Sequence, residues 1–140
     1  MKPSARRKAR ELAVQAVYSW QMTNNNVEQV ELHIATTNNM QKVDMTFFQE
    51  LLRNVVSDCD DLDATIKPYL GRLPEELDPI EKAIIRIATY ELKQRIDVPY
   101  KVVINEAIEL AKTFGAEESH KFVNGVLDKA VKTLRKHEKA

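Results

Sequence analysis

Lys2, Arg6, Arg7, Lys8 and Arg10 fall within the first ten residues, with no acid among them. Such a group seeks anions. Continuing along the same segment, Arg7, Val14, Tyr18 and Gln21 follow one another at spacings of seven, four and three, which on a helix places them in one narrow stripe. Arg10 flanks the stripe and Arg6 lies one residue round. Guanidinium groups hold phosphates bidentately, Tyr18 can stack on an unpaired base, and Gln21 can read a base edge, so the stripe has the parts of a single-strand RNA platform. The same spacing also suits Val14 and Tyr18 packed on a neighbouring helix while the arginines stay solvated. Pattern alone leaves both readings open. A second candidate is Lys121, Phe122 and Asn124 at the start of the last helix, where backbone donors attract phosphate. Phe122 lies off the apolar stripe of Val123 and Leu127, although Val126 four residues on equally allows it a place in the core.

The formal net charge is zero, but its distribution is uneven. Residues 129–140 add Lys129, Lys132, Arg135, Lys136 and Lys139 against Glu138 alone, a run read as solvated helix end. The stretch between the two ends is correspondingly acidic, with Asp58, Asp60, Asp61 and Asp63 in one cluster and Glu75, Glu76, Asp78 and Glu81 in another. The basic ends point to a polyanion, and the acidic middle permits a second, basic partner.

Enzymatic chemistry has little support. Gly71, Gly115 and Gly125 are too dispersed for a phosphate-cradling loop, so no nucleotide cofactor is expected. Cys59 stands alone and the three histidines are scattered, which excludes an internal disulfide and gives no metal-ligand spacing. His120 has no serine or cysteine nucleophile in a motif with it. No apolar run approaches the roughly 20 residues that span a bilayer, and no apolar segment follows the basic start. A cytoplasmic binding protein with no catalytic or metal residues is the expectation.

The elements that position these residues are helices. At 140 residues, 44% hydrophobic and 30% charged with three glycines, the chain is neither disordered nor repetitive and has the length of one ordinary domain. Ala5, Ala9, Leu12, Ala13, Ala16 and Trp20 form the stripe of a first helix, which Asn24–Asn26 ends. Val27, Val30 and Ile34 give a second. Asp44 is placed to cap a third holding Phe47, Phe48, Leu51, Leu52 and Val55, and Leu62, Ile66, Tyr69 and Leu70 belong to a fourth. Gly71 and Pro74 mark a connection. Asp78 and Pro79 open a fifth, central helix through Leu92. A sixth carries Val103 to Phe114 and is expected to end at Gly115 in the left-handed conformation. The seventh buries Val123, Leu127, Ala130 and Leu134. No segment alternates like a strand, so the fold class is all-α: a compact bundle of about seven helices in helical subdomains of about 1–73 and 74–140.

Three strings then carry a family resemblance. Arg6-Arg7-Lys8-Ala9-Arg10-Glu11 with Ala13-Val14-Gln15-Ala16-Val17-Tyr18 resembles the opening helix of the NusB family of bacterial transcription antitermination factors. Glu81-Lys82-Ala83-Ile84-Ile85-Arg86-Ile87-Ala88 with Tyr90-Glu91-Leu92 is similar to a second part of that signature. Pro99 through Ile104-Asn105-Glu106-Ala107 to Phe122-Val123-Asn124-Gly125-Val126-Leu127 is similar to the rest. The resemblance spans nearly the whole chain. It implies a non-enzymatic RNA-binding domain that binds boxA single-stranded RNA as a heterodimer with NusE, a ribosomal small-subunit protein. That pair joins RNA polymerase and other Nus factors in ribosomal RNA operon transcription. Carried onto this sequence, the resemblance implies RNA contact at Lys2, Arg6, Arg7, Arg10, Tyr18, Lys121, Phe122 and Asn124. It implies contact with NusE at Tyr69, Glu75, Glu76, Asp78 and Glu81, and leaves Asn105 and Glu106 a structural role. Related helical domains precede RNA cytosine methyltransferase domains, but the chain stops at Ala140 with no methyl-donor-binding glycine loop, which favours a free-standing binding protein. A generic helical adaptor is the third reading, separated from the others by a flat response of binding to salt.

Overall fold

The structure is a computed structural model that describes residues 2–139; Met1 and Ala140, at the outer ends of the two basic segments, lie outside the described residues. Eight α-helices and two short 3₁₀ turns, with no strand, make up the described residues. They form two compact units, one ending at Asp58 and one beginning at Cys59.

The first unit holds α1 (Pro3–Thr23), α2 (Val27–Thr37) and α3 (Met45–Ser57). Proline in the first turn of α1 loses no helical hydrogen bond there. The helix ends at Asn24, whose φ of 56° turns the chain into the left-handed region while its N–H reaches the Trp20 carbonyl at 3.2 Å. The inner face of α1 presents Ala9, Ala13 and Ala16, all fully buried, so α1 lies close along α3 and its Phe48, Leu51, Leu52 and Val55. Asp44 fixes the join: its carboxylate accepts from the Phe47 N–H at 3.1 Å and its own N–H donates to the Ala5 carbonyl at 3.1 Å. The start of α3 is thereby tied to the first turn of α1. Asn26 caps α2 through the Gln29 N–H at 2.8 Å, and Glu31 links α2 to α3 by receiving Arg53 through two bonds of 2.8 Å.

The second unit holds α4 (Cys59–Ile66), which runs into a 3₁₀ turn at Lys67–Tyr69, a second 3₁₀ turn at Pro74–Glu76, α5 (Pro79–Gln94), α6 (Tyr100–Phe114), α7 (Ser119–Leu134) and α8 (Lys136–Lys139). Every residue of α5 from Ala83 to Leu92 is buried, and α4, α6 and α7 all pack on it. The sequence reading placed the divide between subdomains at residues 73 and 74, whereas the chain divides after Asp58. Charge pairing explains the position of α4: Asp63 accepts Arg86 Nε at 2.9 Å and a terminal nitrogen at 2.7 Å, and Asp61 pairs with Lys93. These two carboxylates of the acidic cluster thus stitch α4 to α5.

Two local expectations are corrected. Gly115 has φ −90° and ψ 173°, ordinary extended backbone rather than left-handed. Glycine is needed there for space, since a Cβ would stand 2.8 Å from both the Ala111 carbonyl oxygen and Ser119 Cβ. Arg135 is no solvated end residue: it is buried and donates to the carbonyls of Leu92 at 2.7 Å, Glu91 at 3.2 Å and Arg95 at 2.9 Å. It supplies the Leu92 carbonyl and adds a second donor to the Glu91 and Arg95 carbonyls, which already accept from the N–H groups of Arg95 and Val98 at 3.0 Å. Glu138, paired with Arg135, accepts from the Tyr100 N–H at 2.9 Å and so caps α6 from α8.

Candidate nucleic-acid interface

The basic residues of α1 separate by environment. Arg6 and Arg10 both lie over the Phe47 ring, each 5.0 Å from its centroid. Arg10 is 3% exposed, and Arg6 Nε stands 3.7 Å from Asp44 Oδ2, close enough for charge attraction but beyond a hydrogen bond. Phe47 is held by the α3 cap, so the two guanidiniums are positioned by a cross-helix contact of the kind worth about 0.5–2 kcal/mol. Arg7, Lys2 and Lys8 are exposed. Beside them, a groove of about 590 Å³ is lined by Lys2, Ser4, Lys8, Gln41 and Lys42, and no ion pair among the described residues engages its three lysines.

The expected stripe is split. Val14 is fully buried, as the packing alternative required. Tyr18 and Gln21 are half-buried, so part of each reaches solvent. Exposed Arg7 and half-buried Tyr18 therefore share a helix face whose middle belongs to the core.

In the second unit, Val123, Val126 and Leu127 are buried, leaving Phe122 half-buried and Lys121 and Asn124 exposed at the start of α7. Lys121 Nζ sits 2.9 Å from Glu118 Oε2. The Phe122 ring is covered by Arg72, whose guanidinium carbon lies 4.1 Å from the ring centroid. No periodic signal marks Arg72, which lies outside every regular helix, or Lys42, which lies between α2 and α3.

The acidic residues are close in the chain but unlike in exposure. Glu75, Glu76 and Asp78 are exposed and Tyr69 is half-buried. Asp78 is also the cap of α5, accepting from the N–H groups of Ile80 at 2.8 Å and Glu81 at 3.3 Å. Glu81 is 8% exposed and accepts the Ser119 hydroxyl at 2.9 Å, joining the starts of α5 and α7. It is a buried organiser of that surface rather than part of its open face. Glu106 is buried on α6 and Asn105 is exposed.

Among the described residues, no group of three or more His, Cys, Asp or Glu side chains is arranged to hold a metal ion. Burial raises the Cys59 thiol above its ordinary range, so it stays protonated and poorly nucleophilic at neutral pH. No helix among these residues is long and apolar enough to cross a membrane.

A family model described as the NusB family matches residues 7–132. The chain belongs to the NusB family. Transcription antitermination protein NusB of Pseudoalteromonas atlantica is 78% identical to this NusB-family chain over 138 residues, covering 99% of each. A solved T. maritima NusB matches its structure with a TM-score of 0.81 at 31% identity, covering 91% of this chain and 90% of the other. NusB in a crystal structure of antitermination factors NusB and NusE with double-stranded RNA shares the fold, with a TM-score of 0.82 at 22% identity over 94% of this chain and 98% of that one.

Proposed function

We propose that this chain is a transcription antitermination factor that binds RNA as a heterodimer with NusE. It carries out no catalytic step. The observation that supports RNA binding is the cationic start of α1, where exposed Lys2, Arg7 and Lys8 and neighbouring Lys42 line or adjoin one groove. Such a rim attracts a phosphate chain. Identity of 78% to a transcription antitermination protein over 99% of both chains supports the process.

In this reading Lys2 and Arg7 take phosphates and Tyr18 stacks on a base. Arg6 and Arg10, braced on Phe47, shape the basic face and contribute charge. Lys121, Phe122 and Asn124 contact RNA from the second unit. The half-buried aromatic surfaces suit unpaired bases, because bases inside a duplex offer no open face. The favoured ligand is therefore a boxA-type single strand of ribosomal RNA operons, bound in the cytoplasm in a complex with RNA polymerase and other Nus factors. Tyr69, Glu75, Glu76 and Asp78 form the surface for basic NusE, with Glu81 holding it in place through Ser119.

Fluorescence titration of boxA-type, scrambled and duplex RNA, each with and without NusE, tests the proposal. Tightest binding of the boxA-type strand, tightened further by NusE, is expected. Equal affinity for all three RNAs with no effect of NusE would overturn it. A double Glu75→Lys/Glu76→Lys variant is expected to lose NusE while binding RNA alone as before.

A further inference from the structure

We propose that Arg72, stacked on Phe122, is a nucleotide-binding residue whose outer face receives an unpaired RNA base. The inference rests on the RNA-binding reading and adds a residue to it. Arg53, Arg86, Arg95 and Arg135 each engage a carboxylate, and Arg6 lies near Asp44. Arg72 differs. It is exposed, and among the described residues no hydrogen bond or ion pair engages it; its one specific contact is the Phe122 ring at 4.1 Å. Its planar guanidinium therefore has an aromatic plane on one side and N–H donors left for another ligand.

The local backbone fits a placed side chain. Gly71, immediately before it, has φ +69°, a conformation L residues rarely adopt, yet a Cβ there would meet nothing within 4 Å. Glycine serves the turn and not the space. The turn delivers Arg72 onto a ring that is itself set by α7, whose Val123, Val126 and Leu127 are buried. An arginine plane resting on an aromatic ring extends the stacking surface by one layer. A base on the outer layer gains stacking and cation–π attraction, while the guanidinium edge can donate to a base edge or phosphate. Exposed Lys121 and Asn124 flank Phe122 in sequence and supply a further charge and an amide.

Anisotropy titrations of a short unpaired RNA with wild type, Arg72→Ala, Arg72→Lys, Phe122→Leu and the Arg72→Ala/Phe122→Leu double variant test this, with melting temperature recorded for each. Arg72→Ala should weaken binding about tenfold, the size of one lost base stack. Arg72→Lys keeps the charge without the plane, so it should recover the salt slope but leave affinity several-fold low. In the Phe122→Leu background, removing Arg72 should change affinity by less than about twofold, because the shelf is already gone. Wild type that binds while Arg72→Ala binds within twofold of it overturns this inference alone, as does full recovery by Arg72→Lys. Wild type that binds no RNA overturns the functional reading and this inference with it.

Discussion

Arg7 and Arg10 lie three residues apart, and the structure assigns them different burdens. Arg10 is 3% exposed over Phe47 and Arg7 is exposed. Truncating Arg10 to alanine removes a desolvated cation–π contact and the packing of its methylene stem, together about 2 kcal/mol. For a chain of this size that lowers the melting temperature by about 6–10 °C. Arg7 is exposed, so whatever Arg7→Ala removes is screened by solvent, and it should change stability by less than about 1 kcal/mol, less than Arg10→Ala. Its effect falls on binding: loss of one phosphate contact should weaken RNA affinity about tenfold and reduce the log-log salt slope by about 0.7. Differential scanning calorimetry and anisotropy at several salt concentrations, run on both variants, separate the two roles. Equal loss of melting temperature in both, or an unchanged salt slope in Arg7→Ala, would refute the division.

Three further outcomes concern the scaffold. Arg135→Ala strips donors from three carbonyls at the end of α5 and should destabilise by about 2–4 kcal/mol, whereas exposed Lys136→Ala should stay within about 0.5 kcal/mol; equal urea midpoints would contradict the cap. Gly115→Ala places a methyl 2.8 Å from a backbone oxygen and a neighbouring Cβ, so it should lower stability by about 1–3 kcal/mol, and an unchanged melting temperature would show the space is not needed. The hydrogen bond from Arg53 holds the Glu31 carboxyl below its ordinary value of 4.5 despite some burial. Its contribution is therefore complete above that value and lost as pH falls through the lower folded value. Glu31→Gln should flatten this part of the acid sensitivity in urea unfolding across that range, modestly because Arg53 is exposed; identical pH profiles would remove the pair from the account.

Much of the helical layout was legible because its determinants are local. Asn26, Asp44 and Asp78 cap helices through N–H groups two or three residues away, and the apolar stripe of α1 is visible in its alanines. The environments of the charged residues were not legible, since each depends on a residue distant in sequence. Arg10 lies over Phe47, 37 residues on, and Glu81 accepts from Ser119, 38 residues on, and neither partner is announced in its own segment. Nothing in the segment of Asp61 and Asp63 announces Lys93 and Arg86, 32 and 23 residues on. Arg72 left no trace at all: it belongs to no stripe, and only folding brings it onto Phe122. The resemblance in the three sequence strings led to the family that residues 7–132 match.

In the proposed function, exposed cationic side chains around the start of α1 grip an RNA backbone. Titrating the wild-type protein with a short unpaired RNA from low to moderate salt tests it most directly. If Lys2, Arg7, Lys8 and Lys42 together supply three or four phosphate contacts, log affinity should fall against log salt with a slope of about −2 to −3. A slope near zero, with binding no weaker at the highest salt than at the lowest, would show that these side chains take no phosphates.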